Sequence, residues 1–543
     1  MDIKQKTYDL IDSLKAVCHS YGLTGDGNEY KIITQIFLYK FLNDKFGYEV
    51  KKLSEKLRTA EKWEEVYAAM SEDERLDLLD KLSPDVLQLQ PEHLVSFLWN
   101  NQSKGDFDVI FDSTMVDIAE KNADIFSTHT TQDTRILLFE KLTNNITDDA
   151  QKAPFARALV DKLVTFSFEE AFKEKYDFFA AIFEYLIKDY NTASGDNAYA
   201  EYYTPHAIAV IMARLLVGDN PDLHSVECYD PSAGTGTLLM ALAHQIGEDR
   251  CSIFSQDISQ KSSKMLKLNL ILNGLVASLD NAIQGNTMTE PYHKTDDGQQ
   301  LRQFDFVVSN PPFKMDFSED KPKMDAQPAR FWGGVPSIPS KKKTSMAIYT
   351  CFIQHVVNSI KNGGKGAIVV PTGFLTAKTG VEFNVRNELV RNRVIAGAIS
   401  MPSNVFANTG TNVSVVLFDK SKANDEVVLI DASKMGIEYK EGKNKKVKLE
   451  DSEVEKIIET YLNREVIDDF SVVVKYEDVE EKGSSLSAGQ YFDVKIQYES
   501  ITRDQYEAAI KSFESELKES FASCRDLEEK LIAGLGGLNY ENV

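Results

Sequence analysis

The stretch Cys228-Tyr-Asp-Pro-Ser-Ala-Gly-Thr-Gly-Thr-Leu-Leu239 constrains the fold more than any other part of the chain. A β-prone run, Val226–Tyr229, enters it, and a helical pattern, Thr237–Ile246, leaves it. The chain must therefore turn from strand to helix within a few residues. Gly234 and Gly236 permit so tight a turn and let a ligand approach the backbone, and the new helix offers unpaired N–H groups. The loop is not G-x-G-x-x-G, because Leu239 takes the last position, and no G-K-[ST] follows to make a phosphate-binding loop. By itself it is a weak sign of any particular cofactor.

The surrounding pattern supplies the context. Short β-rich runs at Ser252–Ser255, Phe306–Val308, Ala367–Val370, Val394–Ala398 and Val413–Phe418 alternate with helical stretches at Gln260–Asn273 and Ala347–Lys361. This alternation predicts an α/β fold with a doubly wound, Rossmann-like sheet, binding ligands beyond the carboxyl ends of its strands. Residues 1–190 read as helical, with few strand signals. Residues 314–345 break the rhythm as a long loop, and residues 421–490 are charge-rich and less regular. Ile510, Phe513, Leu517, Phe521, Cys524, Leu527 and Leu531 form an apolar stripe on a terminal helix. Such a stripe packs on its own domain, on another helix or in a short coiled coil.

Composition narrows the class. Apolar residues make up 43% and charged residues 27%, as in ordinary globular proteins with a real core. No stretch is long and apolar enough to span a bilayer, and the polar N-terminus lacks a leader's apolar segment. Five dispersed cysteines fit neither a disulfide framework nor a zinc site, and the histidines lack ligand spacing; the expectation is a cytoplasmic protein without a metal. The net charge of −23 is unusual for a chain that grips DNA alone, since neutralising phosphates supplies much of such affinity. An acidic chain acting on DNA needs a local basic groove or a partner that does the holding; acidic composition is also simply common.

Two further motifs carry chemistry. Asp257, in Ser255-Gln-Asp-Ile, follows the second strand of the alternating region. An acid there can accept both hydroxyls of a ribose, or merely cap the next helix. Asn310-Pro311-Pro312-Phe313 ends another strand. A planar amino nitrogen is a poor nucleophile because its lone pair is delocalised. The Asn310 side-chain oxygen and the Pro311 carbonyl can accept its two hydrogens, free the lone pair and aim it at a sulfonium methyl. The two prolines stiffen the turn, and Phe313 offers a face on which a flipped base stacks.

Asp230–Leu239 taken with Asn310–Phe313 resembles the amino-methyltransferases that use S-adenosylmethionine. Glu201-Tyr-Tyr-Thr-Pro205-His, the motif order, the helical N-terminal region, Gly363–Pro371 and the terminal helix resemble the modification subunit of type I restriction–modification systems, a DNA N6-adenine methyltransferase. The resemblance implies that Glu201, Tyr202, Tyr203, Thr204, Pro205 and His206 line the methionine end of the cofactor. Asp230, Ser232, Ala233, Gly234 and Gly236 would form its loop, Asp257 would hold the ribose and Asn286 would lie near the adenine. Asn310, Pro311, Pro312 and Phe313 would take the target base. Four positions depart from the family's habit: Asp257 replaces a glutamate, Asn286 an acid, His206 a more basic residue and Thr344-Ser-Met-Ala an acid-containing stretch.

The implied organisation is a helical domain at 1–165, a catalytic domain at 166–430, an extension at 431–495 and a subunit-contacting helix at 496–543. The implied partners are double-stranded DNA and a DNA-specificity subunit carrying two copies of this chain, with a restriction (nuclease and translocase) subunit as a further candidate. Competing readings are a stand-alone adenine methyltransferase, and an enzyme for protein glutamine or a ribosomal-RNA guanine, which faces the same nitrogen problem. Lys321, Lys323, Arg330, Lys341, Lys342 and Lys343 of the long loop are either DNA-backbone contacts or a solvated charge run.

Overall fold

The computed structural model describes the chain except residues 1, 25–26, 131–134, 175, 189–203, 219, 221, 407–411, 422–424, 442–443, 493–501 and 537–543. It divides into two compact units, Met1–Phe492 and Asp493–Val543.

The first unit begins with helices, among them Ile3–Ser20, Gly27–Leu53, Phe107–Lys121 and Asp149–Val164. Each has an apolar stripe that requires cover: Leu10, Leu14 and Val17 recur at helical spacing and are buried. Aromatic side chains close the bundle, with Phe37 and Phe41 meeting Phe168 edge-on at 5.1 and 5.4 Å. The bundle adjoins the sheet region, because Glu140 pairs with Lys31 at 2.8 Å and with Lys264, from the helix Gln260–Leu272, at 3.8 Å.

Along the described chain lie the strands β1 (Thr128–Thr130), β2 (Arg135–Ile136), β3 (Val226–Asp230), β4 (Cys251–Asp257), β5 (Ala282–Gln284), β6 (Phe304–Ser309), β7 (Ile360–Pro371), β8 (Ile395–Ser400), β9 (Val413–Asp419), β10 (Glu426–Asp431), β11 (Ile437–Glu441), β12 (Asn444–Lys448) and β13 (Ser471–Lys475). All but β11 and β12 form one sheet in the order β13-β10-β8-β9-β7-β6-β3-β4-β5-β1-β2. The central strands are parallel, while β9 runs against both β7 and β8. Both faces are covered. Along β9, Val413, Val415 and Leu417 join one apolar cluster, and Val416 and Phe418 join the other.

The strand order reverses at β3, which has β4 on one side and β6 on the other. In a sheet of this kind the ligand crevice opens beyond the carboxyl ends of the strands flanking that reversal. The Gly loop and Asn310 sit there.

The strands expected from the sequence in the alternating region form. The N-terminal region is less purely helical than expected, since β1 pairs with β5 and widens the sheet. The charge-rich stretch after residue 420 is more regular than expected, carrying β10 to β13 and the helices Asp451–Leu462 and Tyr476–Glu481. The long loop is not loose: Phe317, Met324 and Phe331 are buried, and it contains the short helix Lys321–Asp325.

The second unit consists chiefly of the helix Arg503–Gly536. Its stripe is exposed, from 47% at Ile510 to 66% at Leu531. Among the described residues no helix is long and apolar enough to cross a membrane, and no three or more His, Cys, Asp or Glu side chains are grouped to hold a metal.

Candidate active site

The Gly loop is held by carboxylates. Asp230, buried at the end of β3, accepts the Ser232 N–H at 2.9 Å. Gly236 has φ +83°, and a Cβ there would come within 2.2 Å of Leu266 Cδ1, so any side chain at this position is strained. Asp257 at the end of β4 accepts the Gly234 N–H through Oδ2 and the Ser259 N–H through Oδ1, both at 2.8 Å. It thus joins the Gly loop to the start of the next helix, whose cap is Ser259. Burial raises the pKa of Asp230 to about 8, reinforced by the Asp257 charge and opposed by the hydrogen bonds from Ser232. Burial also raises Asp257, against the pull of its two N–H donors.

Asn310 lies across from this loop. Ser309, at the end of β6, places its Oγ 2.6 Å from Ser232 Oγ, locking the two strand ends together. Asn310 donates from Nδ2 to Thr204 Oγ1 at 2.9 Å, and both residues are buried. The amide is thereby oriented, and its Oδ1, which accepts no hydrogen bond among the described residues, remains for an incoming N–H. Pro311 is buried; Phe313 is half-buried and meets Tyr349 edge-on at 6.4 Å. Thr204, Asp230, Ser232, Ala233, Thr235, Thr237, Leu238 and Asn310 line one polar cleft. Residues singled out in three separate sequence motifs therefore converge.

Other expected residues are placed differently. Glu201, Tyr202 and Tyr203 lie outside the described residues. Pro205 precedes, and His206 begins, the helix His206–Val217. Asn286 stands just past β5, where its Oδ1 accepts the Met288 N–H and its Nδ2 donates to Asp320 Oδ2 at 3.0 Å. Thr235, Thr237 and Leu238 were missed as lining residues although they continue the Gly loop. Asp320 was missed because nothing in the sequence links it to Asn286.

Arg330 fits neither reading of the long loop's basic residues, as a DNA-backbone contact or as part of a solvated charge run. It is 7% exposed and donates to the Met288 and Thr287 carbonyls at 2.7 and 2.6 Å. Its guanidinium also meets His355 Nδ1, while His355 Nε2 lies 3.2 Å from the Tyr229 hydroxyl. Burial and the Arg330 charge hold His355 well below the usual histidine range, so it is neutral and able to accept from the guanidinium. Arg330 is a brace between the loop and the segment after β5. Lys323, Lys341, Lys342 and Lys343 remain exposed, and Lys321 pairs with Asp325 at 2.8 Å.

The family model described as N-6 DNA Methylase matches residues 174–500, more than half of the chain. The chain belongs to the N-6 DNA methylase family. The matched region of this methylase contains the Gly loop, Asp257, Asn286 and Asn310–Phe313. Among curated relatives, the type I restriction enzyme MpnII methylase subunit of Mycoplasma pneumoniae is 24% identical over 410 residues, 74% of this chain and 72% of its own. The HindI methylase subunit of Haemophilus influenzae is 22% identical, over 67% of this chain and 79% of its own. A type I restriction-modification methyltransferase subunit from Streptococcus thermophilus superposes with a TM-score of 0.72 at 24% identity, covering 90% of this chain and 99% of that one. A modification subunit of a type I restriction enzyme from Vibrio vulnificus gives 0.53 at 18% identity, with 88% and 93% covered. The fold of this N-6 DNA methylase is that of a methyltransferase with an N-terminal helical region and a C-terminal helix. The resemblance read from its motifs holds.

Proposed function

We propose that this methylase is the modification subunit of a type I restriction–modification complex, transferring a methyl group from S-adenosylmethionine to the N6 nitrogen of a flipped adenine. The observation that carries the reading is the Asn310 amide, fixed by Thr204 beside the Gly-loop cleft at the switch point of the sheet.

The residues present suit the cofactor. A Gly-rich turn permits close approach, Asp257 stands at the end of β4 for a ribose, and Asn286 with Asp320 stands past β5 for an adenine edge. Asp320 supplies the carboxylate that position 286 lacks. Thr204, with Glu201, Tyr202, Tyr203, Pro205 and His206, is assigned to the methionine end. S-adenosylmethionine supplies the electrophilic methyl on its sulfonium. The chain's own work is positioning: Asn310 Oδ1 and the Pro311 carbonyl accept the two amino hydrogens, Pro312 stiffens the turn and Phe313 stacks on the base. Two such acceptors localise the nitrogen lone pair and stabilise the charge that develops on it, without a covalent intermediate.

The proposed partners are double-stranded DNA, a specificity subunit shared by two copies of this chain and, in a complex that cuts, a restriction subunit. The proposed division of labour keeps the boundaries near 165, 430 and 495, with the terminal helix contacting the partner, and the proposed location is the cytoplasm. The test compares site-specific methylation by the purified chain with and without its sequence-reading partner at matched salt. Methylation only with the partner is expected; equal site-specific activity by the chain alone would establish the stand-alone reading instead.

A further inference from the structure

We propose that the β11–β12 hairpin is a clamp for the phosphate backbone of the substrate duplex; the inference rests on the reading that the substrate is DNA. In a chain of net charge −23, residues 434–448 hold six lysines and two glutamates. Lys434, Lys440, Lys445 and Lys448 are exposed. The strand register sets Lys440 directly opposite Lys445, where like charges repel. The ion pair Lys445–Glu438 at 3.5 Å joins two side chains about two-thirds exposed and is weak in water. An anion laid across the pair relieves that repulsion. On the other face Ile437 and Tyr439, 55% and 45% exposed, stand opposite Lys448 and Lys446, giving apolar surface beside positive charge.

The fold puts this charge on the catalytic edge. β10 runs parallel to β8, which runs in the same direction as β7, β6 and β3, so all end on one edge of the sheet. The hairpin leaves β10 at that edge, where Asp230 and Asn310 also stand. Its base is fixed, since the Gly436 N–H donates to Glu453 Oε1 at 2.7 Å. The Val447 N–H donates to the Asn404 carbonyl, in the loop leaving β8, at 3.1 Å. A two-stranded hairpin is marginal alone, and these anchors hold it upright. Phosphates are its natural occupant: the acidic remainder of the chain repels a duplex, and a basic projection on the edge where the base must enter offsets that locally.

The test measures binding of a non-specific duplex by the full chain against salt, for wild type and for K440Q/K445Q/K448Q. Each lost phosphate contact lowers the slope of log K against log salt by about 0.9, so a slope shallower by roughly 2–3 is expected. Affinity for S-adenosylhomocysteine, read by calorimetry, stays at the wild-type value and shows that the variant is folded; K440R/K445R/K448R keeps the wild-type slope. A variant slope equal to wild type overturns the clamp, and so does loss of partner assembly with duplex binding intact, which would make the hairpin a protein-docking surface. Assaying N6-methyladenine in the partner-assembled enzyme separates the two claims. If wild type makes none, the reading beneath fails; if it makes the base while the slopes coincide, only the clamp fails.

Discussion

Thr204 Oγ1 accepts a hydrogen bond from Asn310 Nδ2 at 2.9 Å, joining residues 106 positions apart in the chain. The bond occupies the NH₂ end of the amide, so the threonine of the Tyr-Tyr-Thr-Pro segment orients the asparagine of Asn-Pro-Pro-Phe. A buried amide free to turn would present its NH₂ to the base's own N–H groups for part of the time. At saturating cofactor, Thr204→Val should lower kcat about tenfold, the equivalent of roughly 1.4 kcal/mol, whatever it also costs in cofactor Kd, and Thr204→Ser should restore the rate. Single-turnover kinetics with calorimetry checks this; an unchanged kcat with weakened cofactor binding would assign Thr204 to the cofactor alone.

Asp230 gives a pH signature. Its pKa in the folded chain, raised to about 8, exceeds that of an ordinary carboxylate. Between roughly pH 4 and 8 the folded state keeps a proton that the unfolded state releases, so this residue's contribution to stability falls as pH rises through that window. Asp230→Asn should therefore lose less stability than wild type between about pH 5 and about pH 9. Urea melts at both values check it, and parallel losses would contradict it.

Arg330 braces the segment after β5 that carries Asn286. Arg330→Leu leaves the Thr287 and Met288 carbonyls without their donor, at a cost on the order of 3 kcal/mol. The variant should melt earlier and bind S-adenosylhomocysteine more weakly, since Asn286 directly precedes Thr287 and accepts the Met288 N–H. Lys323→Leu, on an exposed side chain of the same loop, should do neither.

The exposed stripe from Ile510 to Leu531 predicts a separable assembly element. Deleting the chain from Arg503 onward should abolish co-purification with the specificity partner while leaving cofactor affinity intact. Full stoichiometric co-purification of the truncated chain would contradict the assignment.

The parts legible in the sequence were those where local chemistry and fold agree. Gly234 and Gly236 mark a turn that few other residues could make, and the apolar runs of β3, β6, β7 and β9 are long enough to reveal strands buried on both faces. The short strands β1 and β5 were hidden, because three residues carry no periodicity. β10 and β13 were masked by the charged residues between them. In the site, Asn310 and Asp257 could be named from residue type and position, but the Asn310–Thr204 and Asn286–Asp320 bonds could not. Contacts spanning 106 and 34 positions are set by packing, which no local pattern encodes. Arg330 was misread for the same reason: charge in a Lys-rich loop implies solvent until a neutral histidine and two carbonyls are seen around it.

The most direct test of the central claim is nucleoside mass spectrometry of duplex DNA incubated with methyl-labelled S-adenosylmethionine and the partner-assembled enzyme, wild type against Asn310→Ala. Wild type should place label solely as N6-methyladenine, and Asn310→Ala should lose at least a hundredfold, about 2.7 kcal/mol or more of transition-state stabilisation, while cofactor affinity stays near normal. Label on cytosine, or on protein rather than DNA, or an undiminished rate from Asn310→Ala, would contradict the claim.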